Sequence, residues 1–207
     1  MKKWMAPLLI IVLFIAGCSA PLKKPSGPIP PAKNVSQNTN TSRQQALKSL
    51  THWEAKGRLA VTQNQKGGNA SFVWYQRGDS YEIKLFGPFG SGAVSISGRA
   101  GKVVLTEKNG RQTTADSPER LLKKIAGWEV PLTGLSYWLR GLPVPGQPLQ
   151  TQKLDSNGLL QQLTQQGWEI DYESYSDNNG PLPLPNRLRL KNGPLKIKMV
   201  VTAWKEN

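Results

Sequence analysis

The chain has 207 residues, a formal net charge of +14, one cysteine and one histidine. A single Cys18 excludes a disulfide framework and a cysteine metal cluster. His52 is the one histidine, so a histidine triad has a single candidate, no metal-ligand grouping is visible, and no cofactor is expected.

The N-terminus opens with Lys2 and Lys3 and then an apolar run from Met5 to Gly17. That run is shorter than the roughly 20 apolar residues a membrane-spanning helix needs, and suits the core of a signal peptide. It ends Ile15-Ala16-Gly17-Cys18, which resembles a bacterial lipobox. Residues 1–17 are therefore read as a cleaved signal peptide and Cys18 as the lipid-bearing residue. Lipoproteins retained at the inner membrane commonly carry Asp after the cysteine; Ser19 here points to the outer membrane.

Residues 18–45 hold Pro21, Pro25, Pro28, Pro30 and Pro31, then Asn, Gln, Ser and Thr. This composition buries little and is read as a flexible tether. Residues 46–207 suffice for one domain. The basic balance favours anionic partners, phospholipid headgroups or acidic proteins, and an exported chain gives little reason to expect nucleic acid.

From Trp53 onward apolar residues alternate with polar ones, as in half-buried strands. Tyr81, Ile83 and Leu85 share one face; Val94 and Ile96 follow, then Val103 and Leu105. Asn109-Gly110 is a hairpin signal, and Gly67-Gly68-Asn69 and Gly78-Asp79-Ser80 are read as further turns. Ser117-Pro118-Glu119 reads as a helix start, Leu121, Leu122 and Ile125 as its apolar stripe, and Gly127 as its stop. A second helix carries Leu132, Leu135, Trp138 and Leu139 and ends at Arg140-Gly141. Strands resume after Pro148. Asn157-Gly158 is a turn; Trp168, Ile170 and Tyr172 alternate with Glu169, Asp171 and Glu173; Leu195, Ile197, Met199 and Val201 alternate with Lys196 and Lys198. The acidic and basic rows are expected to pair across neighbouring strands.

These patterns predict a mainly β fold, an incomplete antiparallel barrel with short helices over one opening. Such a container either holds an apolar ligand or is filled by its own side chains.

A set of short motifs now gains meaning from its order. After Trp53 come Gly57-Arg58-Leu59-Ala60-Val61, Phe72-Val73-Trp74, Gly87-Pro88-Phe89-Gly90 and Ser117-Pro118-Glu119. Gly127-Trp128-Glu129-Val130-Pro131, Tyr137-Trp138-Leu139-Arg140-Gly141-Leu142-Pro143, Gln166-Gly167-Trp168-Glu169-Ile170 and Trp204 complete it. Behind a lipobox, this series resembles the LolB family of outer-membrane lipoprotein receptors. The resemblance implies an incomplete barrel with an apolar cavity under helices. It implies acceptance of acylated lipoprotein cargo from the soluble periplasmic carrier LolA, and release into the inner leaflet of the outer membrane. It also implies a monomer anchored on the periplasmic face.

The resemblance assigns the Gly87-Pro88-Phe89-Gly90 loop to membrane transfer. LolB-like proteins commonly carry Leu where this chain has Phe89. Candidate cavity walls are Phe72, Trp74, Tyr81, Ile83, Leu85, Val94, Ile96, Leu121, Leu122, Ile125, Trp128, Leu135, Trp138, Trp168, Ile170, Ile197 and Met199. Arg58 and Arg140 are expected as basic residues at the mouth, facing the carrier. Two other readings stand beside this one. A glycosidase would use paired carboxylates such as Glu169, Asp171 and Glu173, but period 2 puts these on one polar face. An adaptor lipoprotein would bind envelope proteins through its surface and have a filled interior.

Overall fold

The structure, a computed structural model, describes residues 33–87, 92–99, 101–176 and 182–206. Helix α1 (Lys33–Ser49) comes first. Six strands follow: β1 (His52–Gln63), β2 (Lys66–Arg77), β3 (Ser80–Phe86), β4 (Val94–Arg99), β5 (Lys102–Glu107) and β6 (Gln112–Ala115). Helices α2 (Pro118–Ala126) and α3 (Leu132–Leu139) interrupt the series. Five strands complete it: β7 (Leu149–Leu154), β8 (Leu160–Gln165), β9 (Trp168–Tyr175), β10 (Pro185–Asn192) and β11 (Leu195–Glu206).

All pairings are antiparallel, in one sheet ordered β6-β5-β4-β3-β2-β1-β11-β10-β9-β8-β7. The first and last strands meet in the middle, with Leu59 opposite Met199 and Val61 opposite Ile197. The outer edges are β6 and β7, and the segment between them carries α2 and α3. The chain thus passes from edge to edge through its two helices, which pack on the apolar face of an unclosed sheet. This is the helix-covered incomplete barrel that the patterning predicts.

Alternation is real in most strands. Trp168, Ile170 and Tyr172 are buried while Glu169 and Glu173 are exposed, and Leu195, Ile197, Met199 and Val201 are buried between exposed Lys196, Lys198 and Val200. The outward charges pair as expected: Arg189 with Glu173 at 2.5 Å and Lys191 with Glu169 at 3.6 Å.

Three expectations need correction. Gly67-Gly68-Asn69 is not a turn but lies within β2. The β1–β2 turn is Asn64-Gln65, both at positive φ (50° and 65°), the geometry that matches strand twist. Gly67 is needed for close approach: a Cβ there would stand 2.2 Å from the Val61 carbonyl oxygen. Strand β10 was not anticipated, although Leu188 and Leu190 are buried in it. The stretch read as tether up to residue 45 is helical from Lys33. Its anchors are few. Leu47 is buried with Leu142 and Leu184, and Arg43 donates to the Pro183 carbonyl at 2.7 Å and stacks over the Tyr175 ring. Residues 18–32, Cys18 among them, lie outside the described residues, as does the signal peptide.

Candidate functional site: an apolar cavity beneath helix α2

Helix α2 begins where the sequence indicates. The Ser117 hydroxyl accepts from the Arg120 N–H at 3.2 Å, Pro118 opens the first turn, and Gly127 closes the helix at φ 70°, its N–H donating to the Lys123 carbonyl at 3.0 Å. Leu121 is buried and Leu122 half-buried, both on the inner side. Ile125, expected in the cavity wall, is 44% exposed. The helix rests on edge strand β6, its neighbour β5 and α3, and its last turn, with Lys123 and Lys124, stays in water.

Helix α3 is fixed more firmly. Trp138 and Leu139 are fully buried. The Trp138 indole donates to Gln165 Oε1 at 3.2 Å, and Gln165 Nε2 donates to the Val144 and Gln147 carbonyls at 2.9 and 3.1 Å. The Tyr172 hydroxyl donates to the Trp138 carbonyl at 3.0 Å. A buried polar group fully satisfied in this way ties an element rigidly in place.

Between these helices and the sheet lies a cavity of about 80 Å³ with no polar wall. Its lining is Leu59 and Val61 from β1, Phe72 and Trp74 from β2, Ile83 and Leu85 from β3, Ile96 from β4, and Ile197 and Met199 from β11. Leu122, Trp128, Val130, Leu132 and Leu135 roof it. Of the expected wall residues, Phe72, Trp74, Ile83, Leu85, Ile96, Leu122, Trp128, Leu135, Ile197 and Met199 are brought together here. Leu121, Trp138, Trp168 and Ile170 instead fill solid core. Trp138 and Trp168 pack with ring centroids 6.1 Å apart, filling the β8–β10 side of the sheet. Val94 is half-buried away from the lining, and Tyr81 lines a neighbouring polar chamber. Leu59, Val61, Val130 and Leu132 were missed. The first two alternate with Arg58 inside a quoted motif, so their face was legible; Val130 precedes α3 and carried no periodic signal.

Arg140 is not an exposed mouth residue. It is 7% exposed. Its Nε donates to the Ser136 carbonyl at 3.1 Å, and its Nη1 to the Leu47 and Leu50 carbonyls at 3.1 and 2.9 Å. The guanidinium lies 5.1 Å from the Tyr137 ring centre and 5.8 Å from that of Trp53. Burial lowers its pKa from the usual arginine value. It clamps the end of α1 to α3. Arg58 is exposed on the other face of β1, in a groove with Phe86, Gly87, Lys198 and Val200. Gly87 is half-buried; Pro88, Phe89 and Gly90 lie outside the described residues. Glu169 and Glu173 are engaged in the ion pairs above, and Asp171 accepts from Gln162 Nε2 at 3.2 Å.

Comparison with known proteins places this arrangement. The family model "Outer membrane lipoprotein LolB" matches residues 51–204. The chain is 35% identical over 204 residues to the outer-membrane lipoprotein LolB of Nitrosococcus oceani, covering 98% of each chain. It is 38% identical over 163 residues to that of Pseudomonas putida strain GB-1, covering 79% of this chain and 78% of the relative. Among solved structures, a DUF1329 family protein from Desulfovibrio piger is similar at TM-score 0.53 and 7% identity, over 83% of this chain and 92% of that one; this likeness concerns the fold. With the LolB model covering the sheet from the start of β1 well into β11, the chain belongs to the LolB family of outer-membrane lipoproteins.

Proposed function

We propose that this protein, anchored to the outer membrane by lipid on Cys18, receives the acyl chains of lipoproteins from a soluble LolA-like carrier and passes them to the periplasmic leaflet. It has no catalytic part in this reading. The observation that carries it is the wholly apolar cavity under α2. Burying an acyl chain is worth about 0.8 kcal/mol per CH₂, so cargo cannot cross water uncovered. With no energy source on the chain, transfer runs downhill from carrier to cavity to bilayer. Non-directional apolar walls suit varied cargo.

The cavity is about 80 Å³, whereas pockets that enclose whole small ligands run roughly 300–1,000 Å³. Acceptance therefore requires the roof to move. Helix α2 is the part to move, because it rests at the β6 edge of the sheet with an exposed last turn while α3 is hydrogen-bonded into the core. The Gly87-Pro88-Phe89-Gly90 loop serves release, Phe89 entering the headgroup boundary. The same small volume favours a second reading, an adaptor with a filled interior that binds envelope proteins by its surface.

The test is a photo-crosslinking residue at Leu122, mixed with carrier loaded with an acylated lipoprotein. Crosslinks to cargo at Leu122 but not at exposed Lys196 are expected. A Phe89→Glu protein should still be loaded yet deliver poorly to liposomes. Absence of crosslinks together with absence of cargo transfer removes the receptor reading and leaves the adaptor.

A further inference from the structure

The outward face of the sheet is charged unevenly. Register places Arg58 of β1 opposite Val200 of β11, and Val200 opposite Arg187 of β10. In the next rows Lys198 stands between Ala60 and Arg189, and Lys196 between Thr62 and Lys191. Arg58, Arg187, Lys196 and Lys198 are all exposed. None of the ion pairs among the described residues uses any of the four. The acids that border this block are already engaged. Glu173 is held by Arg189 and Glu169 by Lys191, while Asp171, opposite Arg189, accepts from Gln162. On the other side Glu54 is held by Lys56 and Glu82 by Lys84. Neighbouring strands are about 4.8 Å apart, so the four uncompensated cations lie close together. Like charges on facing strands are destabilising, and folding therefore does not explain the block.

Apolar surface lies within it. Val200 is 38% exposed between Arg58 and Arg187. The half-buried Phe86 lines a groove with Arg58, Lys198 and Val200, and Gly87, the first residue of the release loop, lines it too. Cations around a small apolar centre match the boundary of a bilayer with anionic headgroups. The long basic side chains reach phosphates, and the apolar atoms meet the edge of the acyl layer. Helices α2 and α3 cover the opposite face of the sheet, so a partner giving up acyl chains beneath α2 has no need of this one.

We propose that the outer face of β10, β11 and β1 lies on the membrane, with Arg58, Arg187, Lys196 and Lys198 against the headgroups of anionic phospholipid. The lipid on Cys18 keeps the domain close to the bilayer and raises the effective concentration of headgroups, so a weak surface attraction suffices to orient it. The orientation brings the Gly87 end of the groove to the leaflet that receives cargo. This assignment rests on the lipid anchor of the proposed function and is independent of whether the cavity takes acyl chains.

The test places the mature lipidated chain in vesicles of phosphatidylcholine, with or without phosphatidylglycerol. Cys18 is the single cysteine and is acylated, so a cysteine introduced elsewhere takes a fluorescent label alone. One protein carries it at exposed Ser71, opposite Arg58 in register, and another at exposed Lys124 on α2. A headgroup-linked quencher lipid reads proximity to the bilayer. The Ser71 label should be quenched in vesicles with phosphatidylglycerol, and released by high salt or by omitting that lipid. The Lys124 label should stay bright in both. Each cation near an anionic surface multiplies the population in contact about fivefold, so Lys198→Glu should lower the ratio of docked to undocked protein on the order of tenfold. That variant removes a like-charge pair and should be no less stable than wild type, so a thermal melt separates a lost contact from a lost fold. Equal quenching of the two labels, or quenching that ignores phosphatidylglycerol, overturns the assignment. So does a Ser71 label shielded only when loaded carrier is added, which gives this face to the carrier. In either case crosslinking of cargo at Leu122 still decides the receptor reading separately.

Discussion

At Gly98 the backbone of β4 gives way to a ring. A methyl there would meet the Tyr81 ring at 2.1 Å, so Gly98→Ala should displace Tyr81 and cost about 1–3 kcal/mol in urea unfolding. Gly57 is stricter, because its hypothetical Cβ stands 2.0 Å from the Val200 backbone oxygen at the β1 bulge, and backbone yields less than a side chain. Tyr81 also sets a pH response. Burial, helped by the charge of Glu119, raises its pKa to about 12 from 10.0. The folded state then holds its proton more tightly than the unfolded one. That stability is fully present below pH 10 and is lost as pH rises towards 12. Discounted for the partial exposure of the ring, it amounts to about 1–2 kcal/mol. The alkaline loss of stability between pH 9 and pH 11.5 should be smaller in Tyr81→Phe than in wild type. Equal losses in the two proteins count against a shifted Tyr81.

Elements differ in how firmly they are tied, and that difference follows from their caps and registers. Ser117→Ala removes the single side-chain cap of α2 and should cost about 1 kcal/mol of local stability. Amide exchange in α2 should quicken about fivefold, with little change in β9 or β11. If α2 is the moving roof, uptake of an alkyl probe should quicken too; unchanged uptake would point to entry elsewhere. On the outer face, register sets Lys198 opposite Arg189 and Lys196 opposite Lys191. Like charges directly opposite are destabilising, so Lys198→Glu should raise stability by about 0.2–1 kcal/mol. The native pairing gives up that stability and keeps a basic face. Most strands and both covering helices were legible because period 2, the Ser117 cap and Gly127 are local signals; β10 was the exception. The β1–β2 turn was not, since Asn64-Gln65 is unusual turn chemistry and the nearby glycines serve strand approach. Helix α1 was hidden because its place depends on Arg43 and Leu47 meeting Pro183 and Leu142, contacts with distant parts of the chain that a polar, unperiodic sequence does not announce.

Across the whole molecule the decisive fact is asymmetry. One half of the sheet packs solid around Trp138, Trp168, Leu163 and Ile170; the other keeps a void among Phe72, Ile96, Ile197 and Met199. Sequence alone does not separate these groups, because large apolar residues on the inner face of a strand look alike whether they touch a neighbour or a cavity. What separates them is where the roof comes down, and that is set by the loop between α2 and α3. Trp128, half-buried in that loop, reaches the cavity from above. It is the residue whose size most directly fixes capacity without carrying a strand. Trp128→Ala should lower stability by about 1–3 kcal/mol, less than for a fully buried Trp. It should also enlarge the cavity and tighten binding of long alkyl probes relative to short ones. Isothermal titration across a chain-length series reads this directly. A rise in affinity with length that is steeper in the variant supports a cavity limited by its roof. An unchanged series, with the same loss of stability, would mean that the space under α2 does not hold the chain, and would favour the filled-interior adaptor.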